Sequence, residues 1–251
     1  MIDSEETVKK FWDEKYANFN AADEVEGDLD LVGQDINLKG KKVLIIAVGT
    51  GKEVVRAARV GACVSGIDIS SKAVENARRM LDANLLSGTM VVGDAAETFF
   101  EEKSFDLIWG SSVLHHLDHE IFPKELDRIL KDDGVAMFVD EATFFNPLIK
   151  FAYETLFGKG RIGRRRKFLF FTRRGDEFEK PIEEADLKYY EGQFLIESVP
   201  CKFLLIEKIA HVISVKPEIH ALFGRVDSFL LYLFPQIKRY SYNYSFIYRK
   251  K

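Results

Sequence analysis

A doubly wound α/β fold is what this 251-residue chain predicts, and three observations carry the prediction. From about residue 42, short and almost wholly apolar runs alternate with longer helical patterns; the first run closes on a glycine turn, and the second ends in an aspartate. Strands apolar at nearly every position are those buried on both faces, as in a parallel sheet with helices on each side. Lys42–Ala47 reads as the first strand, closing at Gly49-Thr50-Gly51, and Glu53–Val60 as the helix behind it. Cys63–Ile69 is the second strand. Ser70 or Ser71 caps the helix that follows, about Lys72 to Asn84, because a serine oxygen accepts the free N–H groups of a first turn. Thr89–Val92, Phe105–Gly110 and Val135–Asp140 are the third, fourth and fifth strands. Between the last two, a helix opening at Asp118 or His119 runs through Lys131 and stops at Asp132-Asp133-Gly134.

The rest of the chain elaborates the same single domain. Residues 1–38 read as an N-terminal helical cap with Phe11, Trp12, Tyr16 and Phe19 on or near one face, and residues 40–141 as the ligand-binding core. Residues 143–206 form an insert and substrate-side segment: an amphipathic helix at about Pro147–Phe157, a basic stretch, and strand-like residues from 194. Residues 207–251 supply a helical segment around Glu218–Phe234 and the alternating run Tyr242–Tyr248, suited to an edge or hairpin strand. Lys and Arg number 36 against 40 acidic residues, a net charge of −4, which argues against a dedicated nucleic-acid binder. The 47% hydrophobic content argues against disorder. The first residues show no signal-peptide pattern, and no apolar run approaches the ~18 residues of a membrane span. Cys63 and Cys201 form no CxxC, so a reduced, cytoplasmic setting is the expectation.

In open parallel sheets ligands bind beyond the carboxyl ends of the strands, so the turn Ala47-Val48-Gly49-Thr50-Gly51 marks the site. Asp68 lies 17 residues beyond Gly51, a spacing that brings a carboxylate to a ribose diol. Gly93-Asp94-Ala95 sets a second carboxylate at the same edge, and Phe105–Leu117 leads through small residues to His115 and His116. With these elements in this order, the chain resembles the class I S-adenosylmethionine-dependent methyltransferases of small-molecule type. The matching segments are Val43–Gly51, Gly66–Ser70, Gly93–Ala95, Phe105–Leu117 and Arg128–Asp140, about 40% of the chain. The resemblance implies a Rossmann-like sheet of about seven strands, the last antiparallel, and S-adenosyl-L-methionine as cofactor. It implies that Ala47, Gly49 and Gly51 line the methionine and ribose portion, that Asp68 holds the ribose hydroxyls, and that Ile69 lies on the adenine face. Asp94 and Ala95 would read the adenine edge and Ser111 would border the sulfonium; Tyr16, from the N-terminal cap, would close over the cofactor. The chain departs from the family at Ile45, usually acidic, and at Ala47, usually glycine; Asp13, Glu14 and Glu53 are the acids that could supply the missing charge.

Methyl transfer is an in-line displacement that depends on positioning, and a base near neutral pKa helps a hydroxyl or protonated amine react. His115 and His116 are the candidates, sitting where an acceptor should approach. His115 and His119 share i,i+4 spacing, but without a third ligand or the Glu of H-E-x-x-H no metal is expected. Eight basic residues between Lys159 and Arg174, with no acid among them, offer Arg165 and Arg166 to an anionic acceptor. The segment from Glu141 through Asn146-Pro147 to Asp176-Glu177 weakly resembles methyltransferases of natural-product or surface-glycan pathways. The expected activity is methyl transfer to a small molecule by a monomer or homodimer, with peripheral membrane contact the less favoured use of the apolar helix. Two alternatives stand beside it. A nicotinamide-dependent dehydrogenase would need a third glycine where Val54 stands, and a non-catalytic binding protein on the same fold is suggested by Ile45 and Ala47.

Overall fold

Apolar runs that no helix covers alone are solved here by one seven-stranded sheet, seen in a computed structural model that describes residues 2–17, 25–147, 150–151, 154–155, 166–168, 171–173, 180–202 and 217–251. In chain order the elements are α1 (Ile2–Tyr16), β1 (Lys42–Ile46), α2 (Lys52–Arg59), β2 (Cys63–Asp68), α3 (Ser71–Ala83), β3 (Thr89–Val92) and β4 (Phe105–Ser111). There follow a short 3-10 turn (Leu114–His116), α4 (Phe122–Ile129), β5 (Leu130–Ala142), and the hairpin strands β6 (Arg166–Phe168) and β7 (Phe171–Arg173). The last elements are α5 (Glu184–Glu191), β8 (Phe194–Lys202), α6 (Pro217–Leu233), a second 3-10 segment (Pro235–Tyr240) and β9 (Asn243–Lys250).

The sheet order is β3-β2-β1-β4-β5-β9-β8, with β9 alone running against the other six strands. Strand β1 is central and buried from Val43 to Ile46. Its side chains alternate between two cores: Val43 and Ile45 pack with α2 and α3 residues such as Val54 and Met80, while Leu44 and Ile46 pack with Phe122, Leu126 and Phe138 on the α4 side. Chain order reverses between β1 and β4, which opens a crevice beyond their carboxyl ends. Among the described residues, no helix is long and apolar enough to cross a membrane.

Three expectations need correction. The Tyr242–Tyr248 run is not an edge strand: β9 lies between β5 and β8, and residues 244–248 are buried. The helix before β5 ends at Ile129 rather than Lys131, because Leu130 pairs with Phe105 and the Lys131–Gly134 stretch bulges before pairing resumes at Val135. Of the cap's described residues, 2–16 are helical, while residues 25–38 cross the α2 face without regular structure, fixed by the Trp109 Nε1–H donating to Asp30 O at 2.8 Å. Within the basic stretch, β6 and β7 pair as a hairpin with Arg166 opposite Arg173 in register.

Candidate functional site

The glycine turn is a tight structure in which three residues have left-handed backbones: Ala47 (φ 57), Gly49 (φ 51) and Gly51 (φ 83). Gly51 caps α2, and a Cβ there would lie 2.7 Å from the Ala77 Cα, so its absence lets α3 pack onto the turn. Ala47 holds a conformation that glycine adopts without strain. Ile45, where the family usually has an acid, is completely buried in the α2–α3 core.

Asp68, the last residue of β2, is the electrostatic centre of the site. Its Oδ2 accepts from Gly49 N at 3.1 Å and its Oδ1 from Ser70 N at 2.8 Å, tying the β2 end to the glycine turn. Burial pushes its carboxyl up to about 6, the two backbone donors pull it back, and the neighbouring Asp13 charge raises it further. Asp68 O accepts from Gly93 N at 3.0 Å, which draws in the β3 turn. There Ala95 is buried, and Asp94 is exposed with Oδ1 accepting from Ala96 N at 2.8 Å. Ile69 is half-buried beside them.

Helix α1 closes over this edge. Asp13 Oδ1 accepts from Ser70 Oγ at 2.6 Å and from Lys72 N at 3.1 Å, so it reinforces the first turn of α3 together with the Ser70 cap. Of the three acids that could replace the one missing at position 45, Asp13 reaches the site; Glu53 pairs with Arg56 at 2.7 Å and Glu14 is exposed. Tyr16 lies against the turn, its hydroxyl 3.1 Å from where a Gly49 Cβ would sit. Burial and the Asp68 charge hold its phenol well above the ordinary range. Trp12 stacks on Tyr16 with centroids 5.9 Å apart and meets His116 edge-on at 5.4 Å. Phe19 lies outside the described residues.

Beyond β4 the chain turns sharply at Ser112 (φ 50) into the histidine segment. His115 is buried, its Nδ1 2.7 Å from Glu141 Oε2. Glu141 has no solvent exposure and its Oε1 accepts from Val113 N at 2.9 Å and Leu114 N at 3.1 Å. The His115 and His116 rings lie 4.2 Å apart. His119 turns away: its Nδ1 is 2.8 Å from Tyr190 Oη, so it does not pair with His115. Among the described residues no group of three or more His, Cys, Asp or Glu could hold a metal. Ser111 opens on a cleft of about 220 Å³ on the α2 side, shared with Asp28, Glu53, Arg56, Trp109 and Asp140 but with none of Asp68, Asp94 or His115. Arg165 lies outside the described residues, and Arg166 opens β6.

The structure thus gathers Ala47, Gly49, Gly51, Asp68, Ile69, Asp94, Ala95 and Tyr16 about one sheet edge, with His115 and His116 beyond the β4 end and reaching α1 through Trp12. Sequence reasoning gave Glu141 no role at this site and did not single out Asp13. Glu141 carried a signal in being a carboxylate at the end of an apolar strand; Asp13 carried none beyond being one of three nearby acids.

Comparison with known proteins agrees with this geometry. A family described as a methyltransferase domain matches residues 44–138. The ubiquinone biosynthesis O-methyltransferase of Pelagibacter ubique is 34% identical over 113 residues, 45% of this chain and 46% of that protein. The demethylmenaquinone methyltransferase of Staphylococcus aureus is 31% identical over 123 residues, 47% of this chain and 51% of that protein. The chain therefore spans about half the length of the curated relatives it matches. A SAM-dependent methyltransferase structure from Methanosarcina mazei superposes with a TM-score of 0.62 over 90% of this chain and 99% of that one, at 18% identity, which is a likeness of fold.

Proposed function

We propose that this chain, whose residues 44–138 match a methyltransferase-domain family, acts as a class I S-adenosylmethionine-dependent methyltransferase that methylates a small molecule at an aromatic hydroxyl, with His115 as base. The observation that carries the cofactor is Asp68, a buried carboxylate at the β2 end whose oxygens each accept one backbone N–H in the fold. A carboxylate oxygen accepts more than one hydrogen bond, so both retain capacity for the two hydroxyls of a ribose. The bare Cα of Gly49 beside the Tyr16 hydroxyl gives the cradle a second wall. The residues fit the group: Asp68 for the ribose, Asp94, Ala95 and Ile69 for the adenine, and Ala47, Gly49, Gly51 and Tyr16 for the methionine end.

When bound, S-adenosylmethionine supplies an electrophilic methyl group whose C–S bond breaks with the electron pair left on sulfur. The chain's part is to hold the acceptor in line and to take its proton. A carboxylate only accepts hydrogen bonds, so the Nδ1 of His115 carries the hydrogen toward Glu141 and Nε2 keeps the lone pair. That nitrogen takes the hydroxyl proton as the O–C bond forms, then passes it to water. An acceptor oxygen is supported by the similarity to the ubiquinone-biosynthesis O-methyltransferase, and a phenol is an oxygen acceptor whose proton an imidazole can take.

Titration calorimetry with S-adenosylmethionine and S-adenosylhomocysteine, followed by labelled-methyl transfer to catechol, tests the reading. Micromolar binding of both ligands is expected, weakened about ten- to a hundredfold in Asp68→Ala by loss of hydrogen bonds to a charged group. Labelled methyl in catechol, abolished in His115→Asn, completes the expectation. Absence of binding by folded protein sinks the cofactor assignment, and undiminished transfer by His115→Asn sinks the base.

A further inference from the structure

We infer that Glu141 is the positioning residue of His115, fixing its imidazole as the Nδ1–H tautomer so that Nε2 is the basic nitrogen; this rests on the assignment of His115 as base. The two belong to different strands' ends. Glu141 lies in the last turn of pleat in β5, His115 in the 3-10 turn after β4, and the parallel pairing of β4 with β5 through Ser111 and Val139 brings them together.

The contacts divide one carboxylate between two tasks. Oε1 accepts from Val113 N and Leu114 N, the free donors opening the 3-10 turn, and so fixes the backbone that carries His115. Oε2 faces the His115 side chain at 2.7 Å and its backbone N at 3.4 Å. The backbone on the other side is also held, because Lys180 N donates to His115 O at 3.0 Å. Glu141 is wholly buried, where an unpaired carboxylate is expensive, so burial itself favours a His115 Nδ1–H that donates to it. Asp118, Asp186 and Lys180 act together with Glu141 on the neighbouring His119, and the Tyr190 and Tyr248 phenols lie in the Glu141 field. Among the described residues, none of these three charged side chains hydrogen-bonds His115, whereas Glu141 touches both its ring and its backbone.

Nitrogen-15 NMR of the imidazoles in full-length protein at mildly alkaline pH tests the inference directly. His115, assigned by its disappearance in His115→Asn, should show a protonated Nδ1 and an unprotonated Nε2. In Glu141→Gln, whose amide can donate as well as accept, the Nε2–H form should appear. Catechol methylation should then fall about 100-fold or more in kcat, with KM for S-adenosylmethionine unchanged, as expected for losing general-base catalysis. A wild-type His115 in the Nε2–H form overturns the proposal with no variant required. So does a Glu141→Gln protein with unchanged tautomer. Should Glu141→Gln shift the tautomer while His115→Asn methylates catechol normally, the base reading fails first, and Glu141 is then an anchor of the turn without a catalytic role.

Discussion

Acidification should separate the stability of the free protein from its hold on the cofactor, because both pass through Asp68. Its carboxyl is pushed up to about 6, chiefly by burial, against an ordinary value of about 3.9. The folded state therefore favours the protonated acid. The group costs the free fold about 3 kcal/mol at neutral pH, and that cost is relieved as pH falls from about 6 to about 4. Ribose hydroxyls need the ionised form as acceptor, so cofactor affinity has the opposite sign. If only the carboxylate binds, the apparent dissociation constant grows by one plus ten to the power of pKa minus pH. The factor is about 1.1 at pH 7 and about 11 at pH 5, a tenfold loss. Titration calorimetry with S-adenosylhomocysteine across this range measures it, and the heat should report proton release on binding near pH 6. Asp68→Asn should bind weakly, with no dependence on pH in the window. Wild-type affinity that stays level down to pH 5 would refute the reasoning, since an accepting carboxylate with this environment cannot remain indifferent to its own protonation.

Three further outcomes concern stability, all read by urea unfolding. Gly51→Ala puts a Cβ 2.7 Å from the Ala77 backbone in a left-handed conformation, and strain of about 1–2 kcal/mol with overpacking of about 1–3 predicts a loss of about 2–5 kcal/mol; wild-type stability would contradict the packing described. Ala47→Gly in the same turn relieves strain and should raise stability by up to about 1 kcal/mol, any loss showing that the Ala47 methyl contributes packing. Tyr248→Phe removes a buried hydroxyl that has no hydrogen-bond partner among the described residues and should stabilise by about 1 kcal/mol; a comparable loss would reveal a partner.

The parts legible in the sequence were those with local causes. Doubly buried strands announce themselves as apolar runs, and Ser70 announces the start of α3 because a cap needs only the next three residues; its Oγ accepts from Ala73 N at 3.1 Å. Asp68 was legible because a strand end after a glycine turn is a position in the topology as well as in the chain. What stayed hidden depends on long-range docking. Asp13 reaches Ser70 across 57 residues, and Glu141 reaches His115 across 26, with no periodicity to link either pair. The bulge at Lys131–Gly134 was likewise misread as a helix stop, because Asp-Asp-Gly suits both, and the pairing of Leu130 with Phe105 decides between them.

The departure at Ile45 takes on a different meaning once side chains are placed. Position 45 points to the α2–α3 face, with no solvent exposure, among Val43, Val54, Met80 and Trp109. An acid at that point in this chain would be a charge surrounded by hydrocarbon, which costs far more than a hydrogen bond returns unless a partner enters with it. The carboxylates that serve the site stand instead at the neighbouring rims: Asp68 on β2, Asp13 on the helix docked above it, and Glu141 on β5. Parallel strands β2, β1, β4 and β5 are consecutive in the sheet, so these rims form one continuous edge on both sides of the glycine turn. Loss of the acid under the turn therefore leaves Asp68, the proposed ribose acceptor, and Glu141, the proposed orienter of His115, in place, and the alanine at 47 bears its cost as backbone strain rather than as a missing charge.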